Sequence, residues 1–302
     1  MTGQVVCIGD VMIDVLARLD ESPGEIRHGS DSPATITVFS GGSAANTAAW
    51  LAREAALTTP PRFVGRVGDD TFGRLAIAEL QAGGVQTDVV IDADEPTGVC
   101  IVLLSPDGER TMIPSAGANL HLSLDQAASL DLRRGQRCHL SGYTLMRDRS
   151  RAAARAALHQ ATDAGVPVSV DVSSAGPLQR MGAKTFLSLV PADALLLANE
   201  AEAQVLTGLR DPELAAAQLV ERFATVVIKC GGQGAVWARG NQVARVAAQP
   251  TEILDSTGAG DAFAAGMLSA LLQDAEINEA VANGNRLGAL AIGRLGARPA
   301  TG

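Results

Sequence analysis

Along this chain, short apolar runs alternate with longer segments in which apolar positions return every three or four residues. "QVVCIGD" reads as a first strand ending in a Gly9-Asp10 turn, and "GGSAANTAAWLAREA" as a helix that starts at a glycine pair. "RFVGRVG" is a strand, and "DTFGRLAIAELQAGG" a helix closed by Gly83-Gly84. The same rhythm continues through "RCHLSG", "RSRAAARAALHQATDAG", "PVSVDV", "ADALLLAN", "EAEAQVLTG", "LAAAQLVERFA" and "TVVIKCGG". "GAVWARGNQVARVAA" reads as a hairpin turning at Gly240-Asn241, and the last helix spans "EAVANGNRLGALAIGRLG". This alternation predicts an α/β fold, a mostly parallel sheet with helices on both faces. Ligands of such sheets bind at the carboxyl ends of the strands.

Two stretches break the rhythm. Residues 31–42 and 97–117 are β-rich, the second with a turn at Pro106-Asp107-Gly108. They form either extra edge strands or a lid that excludes water from a site. No repeat or low-complexity linker divides the chain, so the expectation is one domain over residues 1–302, with an accessory sheet built from about 11–42 and 97–117.

Composition narrows the classes. The chain has 302 residues, 19% charged and 3% aromatic, with a net charge of −9, which gives no general attraction for nucleic acid or an anionic membrane. The basic run from Arg147 to Arg155 alternates with alanines rather than stacking aromatics and reads as a solvated helix face. Cys7, Cys100, Cys138 and Cys230 stand singly, as free thiols of a reducing compartment do. The N-terminus has no signal-peptide pattern, and "AFAAGMLSALL" is too short to span a bilayer. A cytoplasmic location is expected.

The chemistry concentrates in glycine-rich loops. In "DSTGAGDAFAAGML" the glycines and Asp261 stand where a helix begins, so Asp261 is either a cap or a carboxylate inside an anion site. A helix N-terminus would depress its pKa. In "GGSAANTA", Ser43 and Asn46 open another helix. A Walker A loop is excluded because Lys184 and Lys229 follow Ala183 and Ile228, not glycine. "VVIK" lacks a protein-kinase catalytic loop, Ala45 breaks a nucleophile elbow at Ser43, and the four histidines show no zinc spacing.

Taken together, "GGSAANTA", "DSTGAGDAFAAGML", "NEAEAQVLTG", "IKCGGQGAV", "VGDDTFG" and "SAGANLHL" resemble the ribokinase-type (PfkB) sugar kinases across essentially the whole chain. The resemblance implies a Rossmann-like α/β/α sandwich with a small β-sheet lid, transferring the γ-phosphate of ATP to a hydroxyl. It makes Asp261 the base, with the N–H groups of Gly258, Ala259 and Gly260 facing the phosphoryl charge. Asp14, Gly42, Ser43 and Asn46 would bind the sugar, with Asp10 a further contact. Asn199, Lys229, Gly231, Gly234, Gly260 and Asn285 would hold the nucleotide. Glu202 would orient water around Mg²⁺, unless it is simply an exposed acid of a first helical turn. Asp255, Thr257, Ala291 and Gly296 match the places where some members bind a monovalent cation, K⁺.

Ribokinases carry Lys at the position of Ser43 and Asn at that of Met12, so fructose, a keto-sugar acid and a nucleoside stand open beside ribose. No aromatic near the loops suggests a base-stacking pocket. A non-catalytic sensor of the same fold would show a broken anion loop or a lost base, and both are intact. The apolar alternation in "TITVF" and "VCIVLL" predicts a homodimer in which each accessory sheet shields the other's apolar face, through Ile101 or Val102.

Overall fold

The structure is a computed structural model that describes residues 3–20, 29–54, 57–106 and 110–299. In chain order the strands are β1 (Val5–Ile8), β2 (Met12–Leu19), β3 (Ala34–Gly41), β4 (Arg62–Gly68), β5 (Gln86–Asp92), β6 (Gly98–Leu104) and β7 (Arg110–Ser115). They continue with β8 (Arg137–Ser141), β9 (Val168–Asp171), β10 (Leu195–Asn199), β11 (Thr225–Lys229), β12 (Ala235–Arg239) and β13 (Gln242–Val246). The helices are α1 (Ser43–Leu51), α2 (Thr71–Ala82), α3 (Leu124–Ala128), α4 (Tyr143–Met146), α5 (Asp148–Asp163) and α6 (Ala175–Met181). After them come α7 (Ala183–Leu189), α8 (Glu200–Thr207), α9 (Pro212–Leu219), α10 (Ala259–Leu272) and α11 (Ile277–Ile292).

The main sheet has the order β13-β12-β11-β10-β9-β8-β1-β4-β5. From β11 to β5 every pairing is parallel, and the β12–β13 hairpin adds an antiparallel edge. Alternate residues of β1 go to opposite cores. Val6 and Ile8 pack with α5 residues such as Ala157 and Leu158. Val5 and Cys7 pack with α1 and α10 residues such as Ala48 and Phe263. A strand buried on both faces must be apolar throughout, which is why these runs read so clearly. The α/β/α layering agrees with the expected fold class.

A second sheet, β3-β2-β6-β7, takes β3, β6 and β7 from the two stretches that broke the rhythm and adds β2 from just after the first strand. Its register aligns Val38, Val15, Ile101 and Ile113 in one row on one face. The next row, on the other face, is Phe39, Asp14, Cys100 and Pro114. In the turn expected at Pro106-Asp107-Gly108, positions 107 and 108 lie outside the described residues.

Candidate active site

The carboxyl ends of the parallel strands and one face of the smaller sheet enclose a cleft of about 1070 Å³. That volume holds a nucleotide and a second small molecule together. Register explains the convergence: Asn199 pairs with Lys229 across β10 and β11, and Leu197, two residues before Asn199, pairs with Asp171 of β9. These polar groups therefore emerge from one sheet edge. From the other side, Asp14, Met12 and Cys100 face the cleft from the smaller sheet.

Two glycines set the loops. Gly42 is the N-cap of α1 with φ 94°, and Gly258 is the N-cap of α10 with φ 76°. Side chains there would overlap the Asp10 and Ala297 carbonyls, respectively. Glycine is required twice over, by φ and by space.

Asp261, in the first turn of α10, does not cap its own helix. Its Oδ1 accepts from Ser43 Oγ at 2.8 Å and its Oδ2 from Asn46 Nδ2 at 2.8 Å. The two glycine-rich loops, over 200 residues apart in sequence, thus meet at one carboxylate. The expected pKa depression is corrected by the structure. Burial pushes the Asp261 carboxyl up to about 6, prevailing over the bonds from Asn46 and Ser43. Desolvation outweighs the helix terminus here. Burial likewise lifts Asp14 to about 6, with the Arg298 guanidinium pulling the other way.

Lys229 meets the same place from β11. Its Nζ donates to Asp171 Oδ2 at 2.6 Å, and a Cβ added at Gly260 would lie 3.2 Å from that nitrogen. Burial alone would lower the Lys229 pKa, but the Asp171 and Glu202 carboxylates outweigh it and hold the ammonium protonated. Glu202 is only 1% exposed, which rules out the exposed first-turn acid. Its two oxygens accept from the Asn199 backbone N–H at 2.9 Å and Nδ2 at 2.8 Å, a buried capping box. Burial pushes its carboxyl up to about 7, against the pull of Lys229.

Of the expected residues, Asp10, Asp14, Gly42, Ser43, Asn46, Asn199, Glu202, Lys229, Gly231, Thr257, Gly258, Gly260 and Asp261 line the cleft. Gly234, Asp255, Ala259, Asn285, Ala291 and Gly296 are not among its lining residues. The Ala259 N–H turns back toward the Ser256 carbonyl at 3.3 Å. Asn285 Nδ2 donates to the Val246 carbonyl at 3.0 Å, tying α11 to the end of β13. Asp255 bridges two segments, accepting from Thr257 N at 2.7 Å and Gly296 N at 3.1 Å.

Several cleft residues had escaped the sequence reading. Asp171 is one, and a polar residue closing an apolar parallel strand is the signal that would have found it. Tyr143 lines the cleft with the Arg147 guanidinium 5.2 Å from its ring centroid, so an aromatic is present after all. The solvated-face reading of Arg147–Arg155 holds for exposed Arg149 and Arg155 only. Arg147 enters the cleft and donates to Asp10 at 2.7 Å, and Arg151 lines the wall beside it.

For a divalent metal the donor set fits an indirect role. Glu202 and Asp171 already use carboxylate oxygens within the protein, at Asn199 and at Lys229 and Ser173. They would suit a hydrated divalent metal such as Mg²⁺, which Glu202 and Asp171 would hold through water rather than directly.

The model of the pfkB family carbohydrate kinases matches residues 2–301. The ATP-dependent ribose-1-phosphate kinase of Halopiger xanaduensis is 32% identical over 300 residues, covering 98% of this chain and 94% of that one. Adenosine kinase from Sinorhizobium meliloti superposes with a TM-score of 0.85 at 27% identity, covering 99% of this chain and 96% of that chain. A double-mutant fructokinase from Vibrio cholerae O395, solved with fructose, ADP and potassium ion, superposes with a TM-score of 0.81 at 26% identity, covering 99% and 95%.

Proposed function

This chain belongs to the pfkB family of carbohydrate kinases, and we propose that it moves the γ-phosphate of ATP to a hydroxyl of a small sugar with Asp261 as the base. The observation that carries this reading is the Asp261 carboxylate, held by Ser43 and Asn46 at the N-terminus of α10 and close to the Lys229 ammonium. Phosphoryl transfer asks a protein for positioning and charge neutralisation. Asp261 takes the hydroxyl proton as the oxygen attacks. The backbone N–H groups at Gly258 and Gly260 and the Lys229 ammonium face the phosphoryl oxygens, each backbone donor worth about 3 kcal/mol in the transition state. Asp14 accepts two sugar hydroxyls. Mg²⁺, when bound, neutralises charge on the phosphates. Asp255 and Thr257, with the backbone at Ala291 and Gly296, are the place for a monovalent cation, and the Vibrio fructokinase solved with potassium supports testing K⁺.

For the acceptor, Arg147, Arg151 and Arg180 on one wall favour a sugar bearing an anionic substituent, the chemistry named for the Halopiger relative. ADP release on a panel of ribose, fructose, ribose 1-phosphate, 2-keto-3-deoxygluconate and adenosine tests both levels. Release above the ATPase background with none of them would sink the reading. Release with neutral sugars alone would sink the anionic preference.

The pH dependence follows from the raised carboxyls. A base near 6 must be ionised to work, so kcat/KM is expected to fall as pH drops through about 6. Stability moves oppositely. Folded pKa values above the unfolded ones favour the protonated fold, so Asp14, Asp261 and Glu202 stabilise it more as pH falls from 7 toward 5. Rate profiles and thermal midpoints between pH 5 and 8 check this, and a kcat/KM that stays flat down to pH 5 contradicts it.

The smaller sheet is read as a lid and as a dimer surface. Ile36, Val38, Ile101 and Ile113 are 57%, 44%, 44% and 52% exposed on one face of it, an apolar surface that a second copy would cover. Val102 is buried, so the test narrows to Ile101. Ile101→Glu should convert a dimer to a monomer in sedimentation and raise KM for the sugar. A native protein that sediments as a monomer at micromolar concentration would refute the dimer. Among the described residues no helix is long and apolar enough to cross a membrane. The four buried free cysteines support a reducing cytoplasm.

A further inference from the structure

The segment after α11 carries a buried arginine that no loop motif announces. Arg298 donates from Nε to Asn46 Oδ1 at 3.2 Å and from Nη2 to the Gly41 carbonyl at 2.8 Å. Among the described residues its Nη1 finds no hydrogen-bond partner, and it lies 4.0 Å from Glu79 Oε2 of α2. The side chain is 10% exposed, and burial lowers its pKa to about 10 despite the carboxylates of Glu79, Asp14 and Asp261. Burying a guanidinium is costly unless its bonds accomplish something. The segment does not depend on them alone for its place. Trp50 Nε1 already holds the Ala297 carbonyl at 2.9 Å, and Asp255 already holds the Gly296 N–H at 3.1 Å.

What the two bonds touch is more specific. The Asn46 amide has one oxygen and one nitrogen, and Asp261 Oδ2 needs the nitrogen, which donates to it at 2.8 Å. A donor fixed on the oxygen side leaves only that orientation. Gly41 ends β3, where the smaller sheet passes into α1 through Gly42, and a Cβ added there would overlap the Asp14 carboxylate. One planar fork thus spans the group beside the base and the backbone beside the sugar-binding acid.

We propose that Arg298 is a positioning residue of the phosphoryl transfer: it locks the Asn46 amide with its nitrogen toward Asp261 and ties the end of the smaller sheet at Gly41 to that same group. The kinetic part rests on the kinase reading; the orientation of Asn46 does not.

Two measurements test it. The side-chain amide protons of Asn46, identified in ¹⁵N spectra by their absence from Asn46→Asp, are expected to exchange slowly in the native protein. In Arg298→Met they should exchange at least about tenfold faster, as for loss of one charged hydrogen bond. Equal exchange in both proteins overturns the proposal whether or not the chain phosphorylates a sugar. In kinetics, Arg298→Met should lower kcat about tenfold with KM for ATP unchanged. In an Asn46→Ala background the same substitution should then cost much less, because only the contact to the Gly41 carbonyl remains. An equal loss in both backgrounds marks a merely structural arginine and overturns the proposal. Should Arg298→Met fail to fold, Arg298→Lys serves instead. It keeps the cation, but a single ammonium cannot span both acceptors, so faster Asn46 exchange is again expected and its absence is the contrary result.

Discussion

Asp261→Asn is expected to lower kcat by about 10³-fold while the protein keeps or raises its thermal midpoint at pH 7. The two halves come from one observation. The proposed base must be ionised, yet burial pushes its pKa up to about 6, so the ionised form is the one the fold disfavours. An amide of the same shape removes that penalty and still accepts from Ser43 or Asn46 through its oxygen. It cannot take a proton from an incoming hydroxyl. Binding of ATP should change little, because Asn199, Gly231 and Lys229 form the nucleotide end of the proposed site. Steady-state kinetics, nucleotide titration and a melting curve on one preparation give all three readings. A variant that keeps more than about a tenth of the native rate removes Asp261 from the role of base. A large fall in midpoint would show that its bonds to α1 matter more to the fold than its desolvation.

The layers of the fold were legible because parallel strands covered on both faces must be continuously apolar, as β1, β10 and β11 are. β5 had no such signature. It lies at the sheet edge, and "QTDVVID" mixes polar with apolar residues because only part of its surface is buried. Glycine-rich loops gave away Asp261, Ser43 and Asn46, since backbone in those conformations has few residues to choose from. Asp171, Tyr143 and Arg147 carry no local constraint of that sort. They reach the cleft because parallel register brings the ends of β8 and β9 beside those of β1 and β10, a three-dimensional fact. The pKa of Asp261 failed for the same reason. The helix terminus is visible in the sequence, whereas the depth of the cleft around the carboxyl is not.

Lys229→Met is expected to damage stability strongly, and to do so in a pH-dependent way. The ammonium lies 2.6 Å from Asp171, with side chains 14% and 4% exposed, and it also draws the Glu202 carboxyl toward ionisation. Methionine fills similar volume but leaves two buried carboxylates without their cation. Breaking a buried pair by removing one partner costs about 3–5 kcal/mol. For a chain of this size each kcal/mol moves the midpoint by roughly 2 °C, so a fall of about 6–10 °C is expected near pH 8. At lower pH the deficit should shrink. Glu202 already stands near 7, and without Lys229 it rises further, so near pH 5.5 it binds a proton and no longer needs a cation. Asp171→Asn added to Lys229→Met should recover part of the midpoint at pH 8, because it removes the other unpaired charge. Activity should not return with it, since the ammonium beside Gly260, proposed to meet the phosphates, is still missing. Melting curves of the single and double variants at pH 8 and 5.5 decide the matter. A deficit of the same size at both pH values would mean that methionine disturbs packing rather than charge, and that the Lys229–Asp171 pair is incidental to the fold.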